Sequence, residues 1–291
     1  MQCVHGEPRY RVAHLASATA TPSGRVGRVT HPFLQGPRPR AFAHRGWHSG
    51  DLQGLENSMS AFRRAVDRGY RYVETDVHAT ADGVVVMHHD PHLDRTTDGR
   101  GSIRRLPWSA VRTARIAGRE QVCRFDDVLE ELPDAAFNVD VKADQAVGPV
   151  LDVLRRHRAW GRVCLASFDD RRLGRLRRGG GSQLLTSMGP RSVAALWAAS
   201  RPGGAPVRRW VAGGVAQVPP VHGRLRVIDP RFVRAAHRWG WEVHAWTVDD
   251  LDEMRRLLDL GVDGLVTDRP AQLSEVLRER AEAPRGSADP V

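Results

Sequence analysis

The chain is 291 residues long, 41% hydrophobic and 27% charged, with a net charge of +10. That composition suits one globular domain; no run approaches the roughly 18 apolar residues of a membrane span and no apolar leader opens the chain, so a cytoplasmic protein without stable membrane insertion is expected. The charge lies in scattered arginine pairs such as Arg155-Arg156 and Arg177-Arg178, with no aromatic-basic stripe to suggest a nucleic-acid partner, and three widely spaced cysteines exclude a disulfide framework or zinc knuckle.

Residues 1–38 show little periodicity and contain the low-complexity run 16–24, so they read as a flexible, disordered extension. The folded domain is expected over 39–280, with a loose Pro/Gly/Ser-rich tail at 281–291. A first strand at 41–43 runs into His44-Arg45-Gly46. Asn57-Ser58 reads as a helix N-cap, Phe62, Ala65 and Val66 make an apolar stripe, and Gly69 stops the helix. The second strand, 72–78, carries Glu74 and Asp76 two residues apart and hence on one face. No helix fits between it and the apolar run 84–87, so Ala81-Asp82-Gly83 reads as a hairpin turn that brings His89 back above the strand end. An irregular insertion at 91–119 suits a cap.

Further strands are expected at 137–141, 162–167, 183–186, 215–218, 242–247 and 264–267. Helical stretches separate them at 146–157, 169–178, 192–200, 230–239 and 251–260, and Pro270 opens a last helix to about 282. Setting the hairpin arm aside leaves eight parallel strands. The expected fold is therefore α/β, a (β/α)8 TIM barrel with a hairpin and a small insertion after the second strand.

Strand ends that deliver charged groups to one rim are how such a barrel builds a site. Cleaving a phosphodiester needs a cation on the phosphoryl oxygens, a base for the nucleophile and an acid for the leaving group. Glu74, Asp76 and Asp140 offer an all-oxygen cluster, which suits Mg²⁺ or Ca²⁺ rather than zinc. His44 and His89 suit an acid and base pair near neutrality. His88 competes with His89, but strand alternation puts the two on opposite faces. Arg45 and Lys142 can bind phosphate oxygens, the first through its fork and the second as a point charge. Lys142 is the one lysine among 44 basic residues, and a lysine that persists beside an aspartate asks for a chemical reason.

Taken in order, His44-Arg45-Gly46, Glu56-Asn57-Ser58, Glu74-Thr75-Asp76, His89-Asp90-Pro91 with Leu93-Asp94-Arg95-Thr96-Thr97, Asp140-Val141-Lys142, Ser167-Phe168, Trp246-Thr247-Val248-Asp249 and Gly261-Val262-Asp263-Gly264 with Thr267-Asp268-Arg269-Pro270 resemble the glycerophosphodiester phosphodiesterase family, from about residue 41 to 273. The resemblance implies a TIM barrel that uses a divalent cation to hydrolyse small glycerophosphodiesters to glycerol 3-phosphate and an alcohol. It implies His44 and His89 as the acid/base pair, Glu74 and Asp76 as metal ligands, and Arg45 and Lys142 on the phosphate. The family's third ligand is usually glutamate; here Asp140 stands there, as in the similar sphingomyelinase D enzymes. That keeps a lysophospholipase D or sphingomyelinase D-like lyase as the alternative. Glu56 is expected as a substrate contact, against the plainer reading of a helix-start charge. Trp246 is expected to line the substrate channel, against simply filling the barrel mouth. His31, His48, His78, His92, His157, His222 and His237 read as surface or loop residues.

Overall fold

This computed structural model describes residues 31–204 and 208–282. Strand β1 (Arg40–His44) leads to helix α1 (Met59–Asp67), whose N-cap Ser58 accepts the Ala61 amide at 3.2 Å. Strand β2 (Tyr72–Ala79) is buried along its whole length, and the short β3 (Val85–Met87) returns antiparallel to its end, as the turn residues require. The insertion folds as helix α2 (Trp108–Val111) and the small hairpin β4 (Arg115–Ile116) and β5 (Glu120–Gln121). It has its own core, in which Leu55, Val86, Leu93, Ile103 and Val111 pack together.

Regular alternation follows: α3 (Phe125–Glu131), β6 (Ala136–Val141), α4 (Val147–Arg156), β7 (Val163–Ala166), α5 (Asp170–Gly180), β8 (Leu185–Thr186) and α6 (Pro190–Ala199). Strand β9 (Val215–Val218) precedes an outer hairpin of β10 (Val221–His222) and β11 (Leu225–Arg226), and then come α7 (Pro230–Arg238), β12 (Glu242–Ala245), α8 (Leu251–Asp259), β13 (Gly264–Thr267) and α9 (Pro270–Glu282). Parallel pairing runs β8-β7-β6-β2-β1-β13-β12-β9, and a parallel bridge from Ser187 to Val215 draws the two ends together. The eight strands make the nearly closed barrel that the alternation implies.

The strands are buried on both faces, which is why they read as near-continuous apolar runs. Outside, one core packs Phe62, Phe125 and Phe137 under the helices of the first half, and another packs Phe232, Leu257 and Leu265 under the second. Inside, the barrel floor is closed by Phe33, Phe42, Tyr72 and Val266. Phe33 belongs to a stretch expected in the flexible extension. The described part of that extension instead forms a 3-10 turn, Pro32–Gln35, whose Phe33 ring is fully buried 5.2 Å from the Tyr72 ring. An open barrel bottom exposes apolar rings, and this turn covers them, so residues 31–38 belong to the folded body and not to a flexible extension. Residues 1–30 and the expected tail from 283 onward lie outside the described residues.

Below that ring layer Arg40 is buried, with its guanidinium donating to both Glu242 oxygens at 2.8 Å and to the Tyr72 hydroxyl at 2.8 Å. The floor is thus sealed and internally paired. The open end of the barrel, at the carboxyl ends of the strands, is where charge collects.

Candidate active site

Strand register assembles the site. His44 on β1 is aligned with Glu74 on β2, and Asp76 on β2 is aligned with Asp140 on β6. In-register neighbours on parallel strands share a face, so these four side chains converge from three adjacent strands. Past His44 the chain bends sharply through Arg45 (φ 52°) and Gly46 (φ 84°). A Cβ on Gly46 would come within 2.8 Å of the Ala61 backbone in α1, so the turn presses onto the helix only because this residue is glycine.

The bend aims Arg45 back over the mouth. Its Nη1 lies 3.0 Å from Glu56 and its Nε 3.3 Å from Asp76 Oδ2. Glu56 is gripped from the other side by Arg95 of the insertion at 2.7 Å. Expected as a substrate contact, Glu56 stands outside the residues that line the cavity and braces Arg45 instead. Asn57, also in a left-handed conformation, donates to Asp76 Oδ2 at 3.1 Å and accepts from the Thr75 hydroxyl at 2.7 Å.

Lys142 lies between the two aspartates, its Nζ 2.9 Å from Asp76 Oδ1 and 2.8 Å from Asp140 Oδ2. Burial alone would discharge this lysine, but the two aspartates outweigh it and raise its pKa. Burial also works against the Asp76 carboxylate, and Lys142 and Arg45 outweigh it, so Asp76 stays below the usual range. Glu74 and Asp140 are pushed upward, first by burial and then in part by the charge of Asp76. Three carboxyl groups held this close repel one another as carboxylates, so the full charge of the set is favoured only when a cation is there to offset it.

Two oxygens in this cluster, Glu74 Oε2 and Asp140 Oδ1, are buried without a hydrogen-bond partner. A buried acceptor left unsatisfied is costly, and an all-oxygen set with spare lone pairs is the chemistry that suits a hard divalent cation. No three His, Cys, Asp or Glu side chains among the described residues stand close enough to clasp an ion as they are, and the Lys142 ammonium bridges Asp76 and Asp140. By donor chemistry and by its two orphaned oxygens the set still fits such a cation.

The two histidines selected from the sequence share a local design. His44 Nδ1 lies 2.7 Å from Asp268 Oδ1, and His89 Nδ1 lies 2.6 Å from Asp90 Oδ1. A carboxylate on Nδ1 fixes the ring and leaves Nε2 free for proton transfer. Burial opposes the charged form of His44, but the Asp268 hydrogen bond and the nearby Glu74 charge outweigh it and raise its pKa. Asp90 is held well below the usual carboxylate range, chiefly by Arg95, whose Nε donates to it at 2.5 Å. His88 turns away from the mouth, with Nδ1 2.9 Å from the Asp90 carbonyl and Nε2 2.9 Å from the Thr96 hydroxyl.

His44, Arg45, Glu74, Asp76, His89, Asp140, Lys142 and Trp246 all line one cavity of about 530 Å³. One histidine read as a surface or loop residue is neither. His78 is buried on β2 with Nε2 3.1 Å from the His89 carbonyl, its pKa pushed down to about 4 by burial, while His48, in the loop after β1, sets Nε2 3.3 Å from Asp268. Reasoning from the residues alone passed over Asp268, Asp90 and Arg95 as supports. Their signal was position within Thr267-Asp268-Arg269-Pro270 and His89-Asp90-Pro91, since nothing in local periodicity marks a carboxylate that acts on a ring 224 residues away.

Comparison with known proteins agrees with this geometry. Residues 44–272 match the glycerophosphoryl diester phosphodiesterase family. The chain is 40% identical to the probable glycerophosphodiester phosphodiesterase 2 of Mycobacterium tuberculosis, covering 88% of this chain and 97% of that one. It is 26% identical to a glycerophosphodiester phosphodiesterase of Caldanaerobacter subterraneus, over 80% of this chain and 96% of the relative. Its fold is similar to that of an Oleispira antarctica phosphodiesterase solved with the product sn-glycerol-3-phosphate, with a TM-score of 0.69 and 20% identity over 83% of this chain and 97% of the other.

Proposed function

The chain belongs to the glycerophosphoryl diester phosphodiesterase family, and on that premise we propose that its barrel mouth hydrolyses glycerophosphodiesters to glycerol 3-phosphate and an alcohol by histidine acid–base catalysis. The observation that carries this reading is the pair of cavity-lining histidines, each with Nδ1 held by its own carboxylate beside a cluster of three further carboxylates.

In this scheme one of His44 and His89 takes a proton through Nε2 from the water that attacks phosphorus, and the other gives a proton to the alkoxide whose bond to phosphorus breaks, leaving glycerol 3-phosphate and the alcohol. Proton transfer of this kind contributes about 10²–10⁴-fold. Arg45 and Lys142 draw the phosphoryl oxygens into place and offset the charge that grows on them in the transition state. Glu56, with Arg95 behind it, keeps the Arg45 fork turned toward the mouth. Glu74, Asp76 and Asp140 would hold a Mg²⁺ or Ca²⁺ ion, which polarises the phosphoryl group when bound. Asp140 is one methylene shorter than glutamate, so its reach rather than its charge sets it apart. A lysophospholipase D or sphingomyelinase D-like reading rests on that aspartate and on a 23% identity to a lysophospholipase D of Rattus norvegicus, and the 40% identity to a probable glycerophosphodiester phosphodiesterase favours the hydrolase.

The test is release of glycerol 3-phosphate from sn-glycero-3-phosphocholine by purified protein, before and after EDTA and again with Mg²⁺ or Ca²⁺ restored. Release that stops on chelation and returns with cation supports the proposal. No release with either cation, from this diester and from sn-glycero-3-phospho-octanol alike, overturns the hydrolase, and undiminished release from exhaustively demetallated protein overturns the metal.

A further inference from the structure

The cavity has two unlike walls. One, from β1, β2 and β6, carries the histidines, the carboxylates, Arg45 and Lys142. The facing wall, built by β8, α6, β9, the β10–β11 hairpin and the end of β12, presents Met188, Val193, Trp197, Val218, Leu225 and Trp246. At about 530 Å³ the space is in the range of roughly 300–1,000 Å³ that encloses whole small ligands. A phosphate seated among the cations on the first wall leaves the second wall to one of the two groups esterified to it.

That group has to suit the wall. Among the described lining residues every acid, Glu74, Asp76 and Asp140, stands on the polar side. A cationic alcohol therefore meets no carboxylate on the apolar side. Aromatic faces are the other means of holding a quaternary ammonium, and here they are engaged by the chain's own groups. The Arg201 guanidinium sits 4.0 Å over Trp197, Lys142 Nζ lies 6.0 Å over Phe168, and Phe168 packs edge-to-face with Trp246 at 5.4 Å. A glycerol moiety fits less well, because Ser187, Gln217, His222 and Thr247 are scattered among a larger number of apolar side chains, and a hydroxyl buried without a partner costs about 1–3 kcal/mol.

We propose that the apolar wall is the subsite of the leaving alcohol and that the alcohol it takes is uncharged and hydrocarbon-like, in preference to choline or ethanolamine. This rests on the hydrolase reading of the same site and narrows its substrate class. A chain longer than the cavity has an exit. Leu225, which lines the space on the same hairpin face as His222, is 44% exposed at the rim, so the opening is itself partly apolar.

The experiment compares kcat/KM for sn-glycero-3-phospho-octanol, sn-glycero-3-phosphocholine and lysophosphatidylcholine on the metal-supplied enzyme. The octyl ester is expected to exceed the choline ester by on the order of tenfold or more, as a few buried methylenes provide. Val193→Asp and Leu225→Asp place a carboxylate on the apolar wall and should lower the octyl-to-choline ratio by a similar factor. Leu225 sits on an exposed hairpin, so its variant reads out preference without disturbing the core. Equal or better turnover of the choline ester, or a ratio that neither variant moves, overturns the subsite and leaves the hydrolase standing. Lysophosphatidylcholine turned over faster than the octyl ester would assign the wall to the glycerol side instead and overturn the proposal. No turnover of any of the three overturns the hydrolase reading and the subsite with it.

Discussion

Lys142 Nζ stands 2.8 Å from Asp140 Oδ2, at the end of the strand that carries that aspartate, and reaches Asp76 on the neighbouring strand from the same spot. A compact ammonium fits between two carboxylates held this close, whereas a planar guanidinium is wider and demands a fork of acceptors. Lys142→Arg is therefore expected to damage kcat/KM nearly as severely as Lys142→Met, each by on the order of 10²-fold or more, the scale of a lost electrostatic group in a transition state. Steady-state kinetics on the two variants decide it. If arginine substitutes with a small loss, charge alone matters and the fit does not.

The two adjacent histidines should separate cleanly. His89→Ala is expected to lower kcat by about 10²–10⁴-fold, as is His44→Ala. His88→Ala should cost far less in kcat and should show mainly as a lower Tm, because its ring is buried and bonded to the Asp90 carbonyl and Thr96. A ranking with His88 above His89 would contradict the assignment.

Asp268 acts through His44, so Asp268→Asn should lower kcat while leaving KM close to unchanged, and by less than His44→Ala does. Asp268→Glu should restore part of the loss. A fall confined to KM would mean that Asp268 touches substrate rather than steadying the ring.

At the sealed end of the barrel, burial works against the Glu242 carboxylate, but hydrogen bonds from Arg40 and His244 outweigh it and bring its pKa down to about 2. A carboxyl depressed on folding stabilises the native state above its ordinary pKa, and that stability is lost as pH falls from about 4.5 toward 2. Glu242→Gln should lower Tm at pH 7 and flatten the decline of Tm between pH 5 and 2 relative to wild type. Parallel curves for the two proteins would show that the pair carries no pH-linked stability.

Phe33 closes the same floor. Phe33→Ala removes a fully buried ring from the cluster of Phe42, Tyr72 and Val266 and should cost about 3–5 kcal/mol by denaturant unfolding. A loss under about 1 kcal/mol would mean that the turn merely rests on the barrel.

Much of the site was legible because the chemistry is written at period two. Glu74 and Asp76 had to share a face once their segment was a strand, and Asp140 and Lys142 likewise, so the polar wall followed from alternation and strand order. The barrel followed from the spacing of apolar runs. What escaped has physical reasons. Helix α3 has seven residues, too few for a clear apolar stripe, and β10 and β11 have two each, so no pattern announces them. That hairpin completes the apolar wall, of whose side chains only Trp246 was picked out from the sequence. Phe33 was misplaced because a single aromatic in a Pro/Gly-rich stretch gives no periodic signal, and its burial is decided by the ring layer it covers. His78 was taken as a surface or loop residue although at period two it shares the face of Glu74 and Asp76; its partner is a backbone carbonyl in the returning arm.

The most direct measurement is a ³¹P NMR time course of sn-glycero-3-phosphocholine with the protein and Mg²⁺ or Ca²⁺, run beside His44→Ala and His89→Ala at equal concentration. With the wild-type chain the diester resonance should be replaced by the phosphomonoester resonance of glycerol 3-phosphate, while under either variant it should persist. A diester signal untouched by the wild-type protein with this ester and with sn-glycero-3-phospho-octanol, or variants that convert it at the wild-type rate, would contradict phosphodiester hydrolysis by this pair of histidines.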